Sequence, residues 1–470
     1  VIYLKSRILA ILTALVILLQ FAACGKGRSV IKDEIEDEST CTSSQESEPE
    51  ESDQPDPPPD DTKTKQSESS GSWSSGAVNV PIENTPPENP PVHPPDSLNP
   101  STVFTPLAAS SYWCYNQLTS NGQREAYNII NNTVLNMTEG LVELPVKSTH
   151  DLIIAYTAVR NDFPQYFWMP SKYLYGVNPN GNISIIIKGD GKNPNQAGQD
   201  YNCSVEERNS LLAQQNQAIS EAIAFLGGER DQYTIELMLH DWLLGRVSYN
   251  HGANPYTDYT ALGALVTGQA VCEGYARAFQ LLLYNVGIES TLVVGSSRNE
   301  PHMWNIARID GQWYNVDTTW NDGERISHTY FNQTDAFMQQ DHFFEQNLSQ
   351  VADADAVELF NFNLPSCASV AANYGRRNNV HISNDEEFKT LIANGIVNAI
   401  NSGLGHAEFV LDHNYRAYPN VSAVLSAANQ MGCFASANAR VAPGSQIYGN
   451  IGISGKGSEV GYIIGFTLYW

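Results

Sequence analysis

The chain has 470 residues, 42% of them apolar and 10% aromatic, enough for two or three domains with sizeable cores. Its net charge of −25 argues against a nucleic-acid partner, whose phosphates would repel it, and against electrostatic docking on anionic lipid. Much of that charge is local, since Gly25 to Pro100 holds 17 acidic and 5 basic residues.

Lys5 and Arg7 precede an uncharged, mostly apolar run from Ile8 to Ala23, short for a membrane span of about 20 residues. The run ends Phe21-Ala22-Ala23-Cys24. That ending resembles a bacterial lipobox, with Phe21 where the pattern usually has Leu. The resemblance implies a signal peptide over 1–23 and a lipid on Cys24. It also implies an extracytoplasmic protein held at the bacterial cell membrane through that lipid alone. Residues 24–110 are acidic, then rich in Ser, Pro and Gly, a composition that buries too little apolar surface to fold. They are expected to form an extended tether that holds the folded body away from the membrane.

Residues 111–228 read as a small α+β unit. "LTSNGQREAYNIINNTVLNM" predicts a helix capped by Thr119 or Ser120, and "STHDLIIAYTAVRNDFP" a second one ended by Pro164. "YFWMP" and "YLYGVNPNGNISIIIK" predict strands around an Asn180-Gly181 turn. Ser204 to Glu207 forms a capping box for a long helix that stops at Gly227-Gly228. Phe163, Tyr166, Phe167 and Trp168 are expected in the core rather than as a ligand platform.

Residues 229–364 carry the pattern with chemistry in it. "DQYTIELMLHDWLLGRVSYN" predicts an amphipathic helix, followed by a loop that delivers the chain to Cys272. Val271 to Val286 has helical spacing and Gly287 as its stop, which puts Cys272 in the first turn. There the unpaired N–H groups and the macrodipole favour thiolate, the nucleophilic form. Asp310-Gly311 is a two-residue turn signal, so Ile309 should pair with Gln312. In that register His302 and Asp317 share a face as diagonal neighbours, and the helix bearing Cys272 must pack against it. A carboxylate beside an imidazole can fix its tautomer and stabilise the imidazolium. An oxyanion hole would use the Cys272 N–H with Gln269 or Tyr249 as second donor. His240 and His251 read as surface or helix residues without a catalytic role. Trp304, Asn305, Trp313 and Trp320 should pack around the site, with Tyr275 in the core and Arg277 on the surface.

"VCEGYA", "HMWN" and "WYNVDTTW" resemble the three motif blocks of the transglutaminase-like superfamily, in its order and spacing. The tail "YFNQTDAFMQQDHFF" resembles bacterial members, where a Phe-rich segment with a His follows the last catalytic strand. The resemblance implies an α+β fold with a papain-like core, the catalytic Cys at a helix N-terminus packed on an antiparallel sheet. It further implies Cys272 as nucleophile, His302 as general base and acid, and Asp317 as orienting carboxylate. Animal-type members have Trp directly after the nucleophile; here Glu273 stands there, which argues against their calcium-dependent cross-linking. The expected activity is therefore a cysteine peptidase or amidase acting on a protein or peptide substrate associated with the cell surface or wall. Protein cross-linking and a non-catalytic scaffold are the alternatives. No cofactor and no metal are expected, because the sequence has no CxxC or zinc-type Cys/His spacing.

Residues 365–470 read as a third, α+β unit with a helix starting near Asn384 or Asp385, a second over "NVSAVLSAANQM", and strands in "HAEFVLDH", "SQIYGNIGIS" and "GYIIGFTLYW". Nothing there suggests chemistry. Of the remaining cysteines, Cys114 and Cys203 flank one unit and could pair in an oxidising compartment.

Overall fold

A computed structural model of the chain describes residues 76–78, 106–108, 111–189, 200–254, 256–348, 360–403, 405–447 and 451–469. The apolar N-terminal run, Cys24, and the tether apart from 76–78 and 106–108 lie outside the described residues. Gly76–Val78 (β1) departs from the tether expectation: it pairs antiparallel with a strand near the C-terminus. All described residues belong to one unit, Pro55–Trp470.

The first part is built from Trp113–Asn116 (α1), Asn121–Leu135 (α2), Val142–Glu143 (β2), Thr149–Asp162 (α3), Leu174–Val177 (β3), Ile183–Ile186 (β4) and Val205–Phe225 (α4). Local chemistry explains the starts. Ser120 and Gln123 form a capping box at α2, Ser148 caps α3, and Ser204 and Glu207 box α4. The three strands form a sheet in the order β2-β4-β3. "YFWMP" is not a strand: Phe163 to Met169 makes successive turns through Tyr166 N–H to Phe163 O and Met169 N–H to Tyr166 O. Trp168 is buried there and its indole N–H donates to Val134 O, so packing overrides strand propensity. Phe167 and Trp168 are core residues, as expected.

The second part runs Gln232–Leu244 (α5), Ser248–Tyr249 (β5), a π-helical turn Gly263–Thr267, Gln269–Ala270 (β6), Cys272–Asn285 (α6), Ser290–Ser297 (β7), Glu300–Ile309 (β8), Gln312–Val316 (β9), Asp335–Met338 (α7) and His342–Phe344 (β10). The antiparallel sheet has the order β10-β7-β8-β9. Ile309 pairs with Gln312 and Asn305 with Val316, the register the Asp310-Gly311 turn dictates. Both turn residues have positive φ, 50° and 79°, as a tight hairpin of this kind needs. The packing of α6 differs from expectation. Its apolar stripe shares a core with Ala307, Ile309, Tyr314 and Val316, while Trp304 and Ile306 belong to a separate cluster on the other face. Asn305 reinforces the α6 side by donating to Ala276 O at 3.0 Å. Because β9 stops at Val316, opposite Asn305, residues 300–304 of β8 lie beyond it. There the thiol at the start of α6 meets His302 (below).

The third part comprises Tyr374–Arg377 (α8), His381–Ile382 (β11), Asp385–Ser402 (α9), His406–Leu411 (β12), Val421–Gln430 (α10), Cys433–Asn438 (α11), Ile451–Ser458 (β13) and Gly461–Leu468 (β14). Its sheet has the order β1-β13-β14-β12-β11. Asn384 is the cap of α9, accepting from Glu386 and Glu387 N–H. The cores cross the expected boundaries at 228/229 and 364/365. Ala218, Ile219 and Ala222 of α4 pack with α6, and Val410, Val460 and Ile463 pack with Trp304 and Ile306. Cys114 and Cys203, which could have paired, do not: Cys114, Cys203, Cys272, Cys367 and Cys433 are all free thiols. Among the described residues no helix is long and apolar enough to cross a membrane.

Candidate active site

Three segments converge at the start of α6. The loop before it is folded around the buried carboxylate of Asp258, which accepts from Asn250 Nδ2 at 2.7 Å, Asn254 N–H at 2.9 Å and Thr257 Oγ1 at 2.7 Å. Its backbone carbonyl then receives Val271 N–H at 3.0 Å. Gly274 makes this approach possible, since a Cβ there would lie 2.2 Å from Asp258 O. The loop thus sets the position of the turn that carries Cys272, which is half-buried.

His302 is in hydrogen-bonding contact with the Cys272 thiol. Its Nε2 lies 2.6 Å from Asp317 Oδ2. Asp317 follows β9 directly and is fully buried. Its Oδ1 accepts from the N–H groups of Thr319 and Trp320 at 2.9 and 3.0 Å, and its own N–H donates to Tyr330 O. The backbone around it is therefore fixed independently of its imidazole partner. Burial alone would strip the proton from His302, but the Asp317 charge and hydrogen bond, with the thiol contact, outweigh it and push the imidazole up to about 10. Burial would conversely raise Asp317, and its imidazole partners hold it below the ordinary carboxylate range. The arrangement is a thiol, an imidazole held in one orientation, and a buried carboxylate, which is the geometry of acyl transfer through a thioester.

Residues 220–318 match the transglutaminase-like superfamily. The chain carries a transglutaminase-like domain. The matched span holds Cys272, His302 and Asp317, and the fold of the domain is the α+β, papain-like core of that superfamily. Solved structures similar to the chain include a TGase at 15% identity and TM-score 0.23, covering 32% of this chain and 44% of that one. A candidate cysteine protease from Cytophaga hutchinsonii has 16% identity and TM-score 0.21, covering 32% and 62%. A candidate protease from Parabacteroides distasonis has 13% identity and TM-score 0.18, covering 32% and 39%. The chain thus spans less than two thirds of each, and no curated protein matches it.

The two expected oxyanion donors in the transglutaminase-like domain lie close together in the fold. Tyr249 on β5 and Gln269 on β6 lie on neighbouring parallel strands. The Tyr249 side chain is exposed overall and stacks on Tyr275 with ring centroids 6.3 Å apart, while burial of its phenol, then the neighbouring Cys272, pushes that group up to about 12, so it is a neutral O–H donor. The Gln269 side chain is exposed and meets Asn250 at 3.5 Å. Trp304 stacks on His302 with ring centroids 5.9 Å apart, and Trp320 stands edge-on to it at 6.3 Å. Trp313 instead packs on Trp113, away from the imidazole.

Arg277 contradicts the sequence expectation. Arg277 is buried, not on the surface: its Nε donates to Glu273 Oε1 at 2.8 Å and its Nη1 to Arg160 O at 2.6 Å. Arg160 of α3 reaches the same Glu273 oxygen at 2.8 Å. Glu273, the residue after Cys272, thus ties helix α6 to the first part of the chain. His240 lies on helix α5, one of the two places expected for it, and is buried between Asp241 and Asn321 at 2.8 and 3.0 Å. The largest omission is His342. Its Nε2 lies 3.0 Å from the same Asp317 oxygen that His302 uses. The available signal was its place in the Phe-rich tail, which gave a family likeness without a geometry.

Proposed function

We propose that this chain is an extracytoplasmic cysteine acyl-transfer enzyme that cleaves peptide or amide bonds through a thioester on Cys272. The observation that carries the reading is the His302 imidazole bridging the Cys272 thiol and the Asp317 carboxylate.

The Cys272 thiolate attacks the amide carbonyl, and the carbonyl oxygen becomes an oxyanion held by the Cys272 N–H and the Tyr249 hydroxyl. His302 gives its proton to the leaving nitrogen as the C–N bond breaks, leaving a thioester and a free amine. Neutral His302 then takes a proton from water as it attacks, the thioester collapses, and the acid leaves with Cys272 restored as thiolate and His302 as imidazolium. Asp317 keeps its charge throughout and stabilises each imidazolium stage. The Glu273 departure from animal-type members favours water over an amine as the second acceptor. Lipid anchoring at Cys24, supported by Phe21-Ala22-Ala23-Cys24 after an apolar run, would present the site to protein or wall peptide outside the membrane.

Iodoacetamide near pH 6 should alkylate Cys272 selectively over the other thiols, and His302→Ala should abolish that selectivity. Equal labelling of all exposed thiols would sink the enzyme reading in favour of a scaffold. With a glutamine-containing protein and a labelled amine, the expected result is cleavage or deamidation; incorporation of the amine would make the chain a cross-linker.

A further inference from the structure

The carboxylate of Asp317 does not end its network at His302. His342 Nε2 meets Asp317 Oδ2 at 3.0 Å, and His342 Nδ1 meets Asp341 Oδ1 at 2.7 Å. Asp341 Oδ2 accepts from Lys456 Nζ at 2.5 Å and from the Tyr330 hydroxyl at 2.7 Å. Lys456 also reaches the Tyr330 oxygen at 3.1 Å. Read outward from the thiol, the order is imidazole, carboxylate, imidazole, carboxylate, ammonium, with the last group on β13.

His342 itself is fully buried, its two ring nitrogens each facing a carboxylate. The rings around it are Trp304, Trp320, Tyr330 and His302, the last with its centroid 5.5 Å away. Gly295 is needed for this fit, because a Cβ there would lie 2.2 Å from Phe343 O and 2.7 Å from the Trp304 ring. The charged and titratable groups facing His342 are therefore Asp317, Asp341, His302 and Tyr330, with Lys456 behind Asp341. An imidazole with an acceptor at each nitrogen needs both N–H groups, so it is a cation. Burial opposes that charge, and the hydrogen bonds to Asp317 and Asp341 outweigh it, raising the imidazole above its ordinary value.

On the acyl-transfer reading above, we propose that His342, braced by Asp341 and Lys456, is a positioning residue that sets how strongly Asp317 draws the proton onto His302. Two imidazoliums compete for one oxygen of Asp317. The second one divides the negative charge, so His302 binds its proton less tightly than it would with Asp317 to itself. It thereby stays able to release that proton to the leaving amine. Lys456 acts one step further out, by offsetting Asp341 and locking its rotamer. The third part of the chain then has a role in the chemistry, although it holds no residue that touches the reacting atoms.

The test follows alkylation of Cys272 by iodoacetamide from pH 4 to 10.5, read by mass spectrometry on the full folded chain, which needs no knowledge of the substrate. His342→Gln keeps an N–H for Asp317 but removes the charge. Both pH steps of the thiol–imidazole pair should move up by about one pH unit, the scale of one charge roughly 6 Å away. Lys456→Met should move them the same way by less, and Lys456→Arg should restore the wild-type profile. If His342→Gln does not fold, the two Lys456 variants carry the test alone. Wild-type steps in a folded His342→Gln, or in Lys456→Met, overturn the inference while leaving the function standing. Loss of melting temperature without a shifted profile also overturns it, by making the relay merely structural. A wild-type protein with no selectively reactive Cys272 would instead overturn the functional reading.

Discussion

Two imidazoles, His302 and His328, hold protons far above the ordinary value of 6.5, each at about 10: burial opposes the charge, and it is outweighed by Asp317 and the Cys272 thiol at His302 and by Asp241 and Glu408 at His328. Such groups bear on stability with a definite sign. Below about pH 6.5 each ring is protonated in folded and unfolded chains alike, and its stabilisation is complete. Between 6.5 and 10 the folded protein keeps a proton that the unfolded chain has released, so stability falls as pH rises. The melting temperature should therefore decline from pH 6.5 to 10, and the decline should be shallower in His328→Gln, which keeps the candidate active site intact. A melting temperature flat across that window would show that the rings are neutral when folded. Residue chemistry of this kind was only half legible. Cys272, His302 and Asp317 stood out because each sits beside a local signal, a helix start or a hairpin turn. Arg277 was misread because the carbonyl it donates to lies 117 residues away, on Arg160.

At the scale of elements, the decisive feature is the contact between the first turn of α6 and the loop ending at Thr260. Gly274 has its Cα facing Asp258 O, so Gly274→Ala must push the helix start away from the loop. The expected cost is about 1–3 kcal/mol of stability, as for other overpacked sites, together with slower alkylation of Cys272. Thermal melts alongside the labelling rate check both halves; unchanged labelling would mean the loop does not position the thiol. Elements were the most legible level. The register of β8 and β9 followed from one dipeptide, and the starts of α2, α4 and α9 from single capping residues, because these signals act within a few positions of chain. The face of the sheet that α6 covers was misassigned. Period-two logic gives which residues share a face, but which face a helix covers is decided by where the strands end, here by β9 stopping at Val316.

For the whole molecule, the join between the second and third parts is built from charge as well as apolar packing. Glu408 on β12 accepts from His328 N–H at 2.7 Å and faces His328 Nδ1 at 2.9 Å, while His328 Nε2 faces Asp241 of α5 at 2.9 Å. His328 also stacks on Tyr374 with centroids 4.1 Å apart. Glu408→Gln removes one charge of a fully buried pair and should cost roughly 3 kcal/mol. The measurement is chemical unfolding; the protein should still label selectively at Cys272 in the absence of denaturant, since the pair lies outside the thiol relay. A loss under 1 kcal/mol would assign the join to its apolar contacts alone. None of this was visible in the sequence, where the last hundred residues carry no motif and looked separable.

On the proposed relay, Lys456 gives the site an order in time. The ribosome makes the nucleophile, both imidazoles and both aspartates first, and the ammonium only after more than a hundred further residues. A chain arrested or clipped before β13 would own every reacting group and still lack the brace that tunes them, so reactivity should ripen with completion of the C-terminal sheet rather than with the appearance of the thiol.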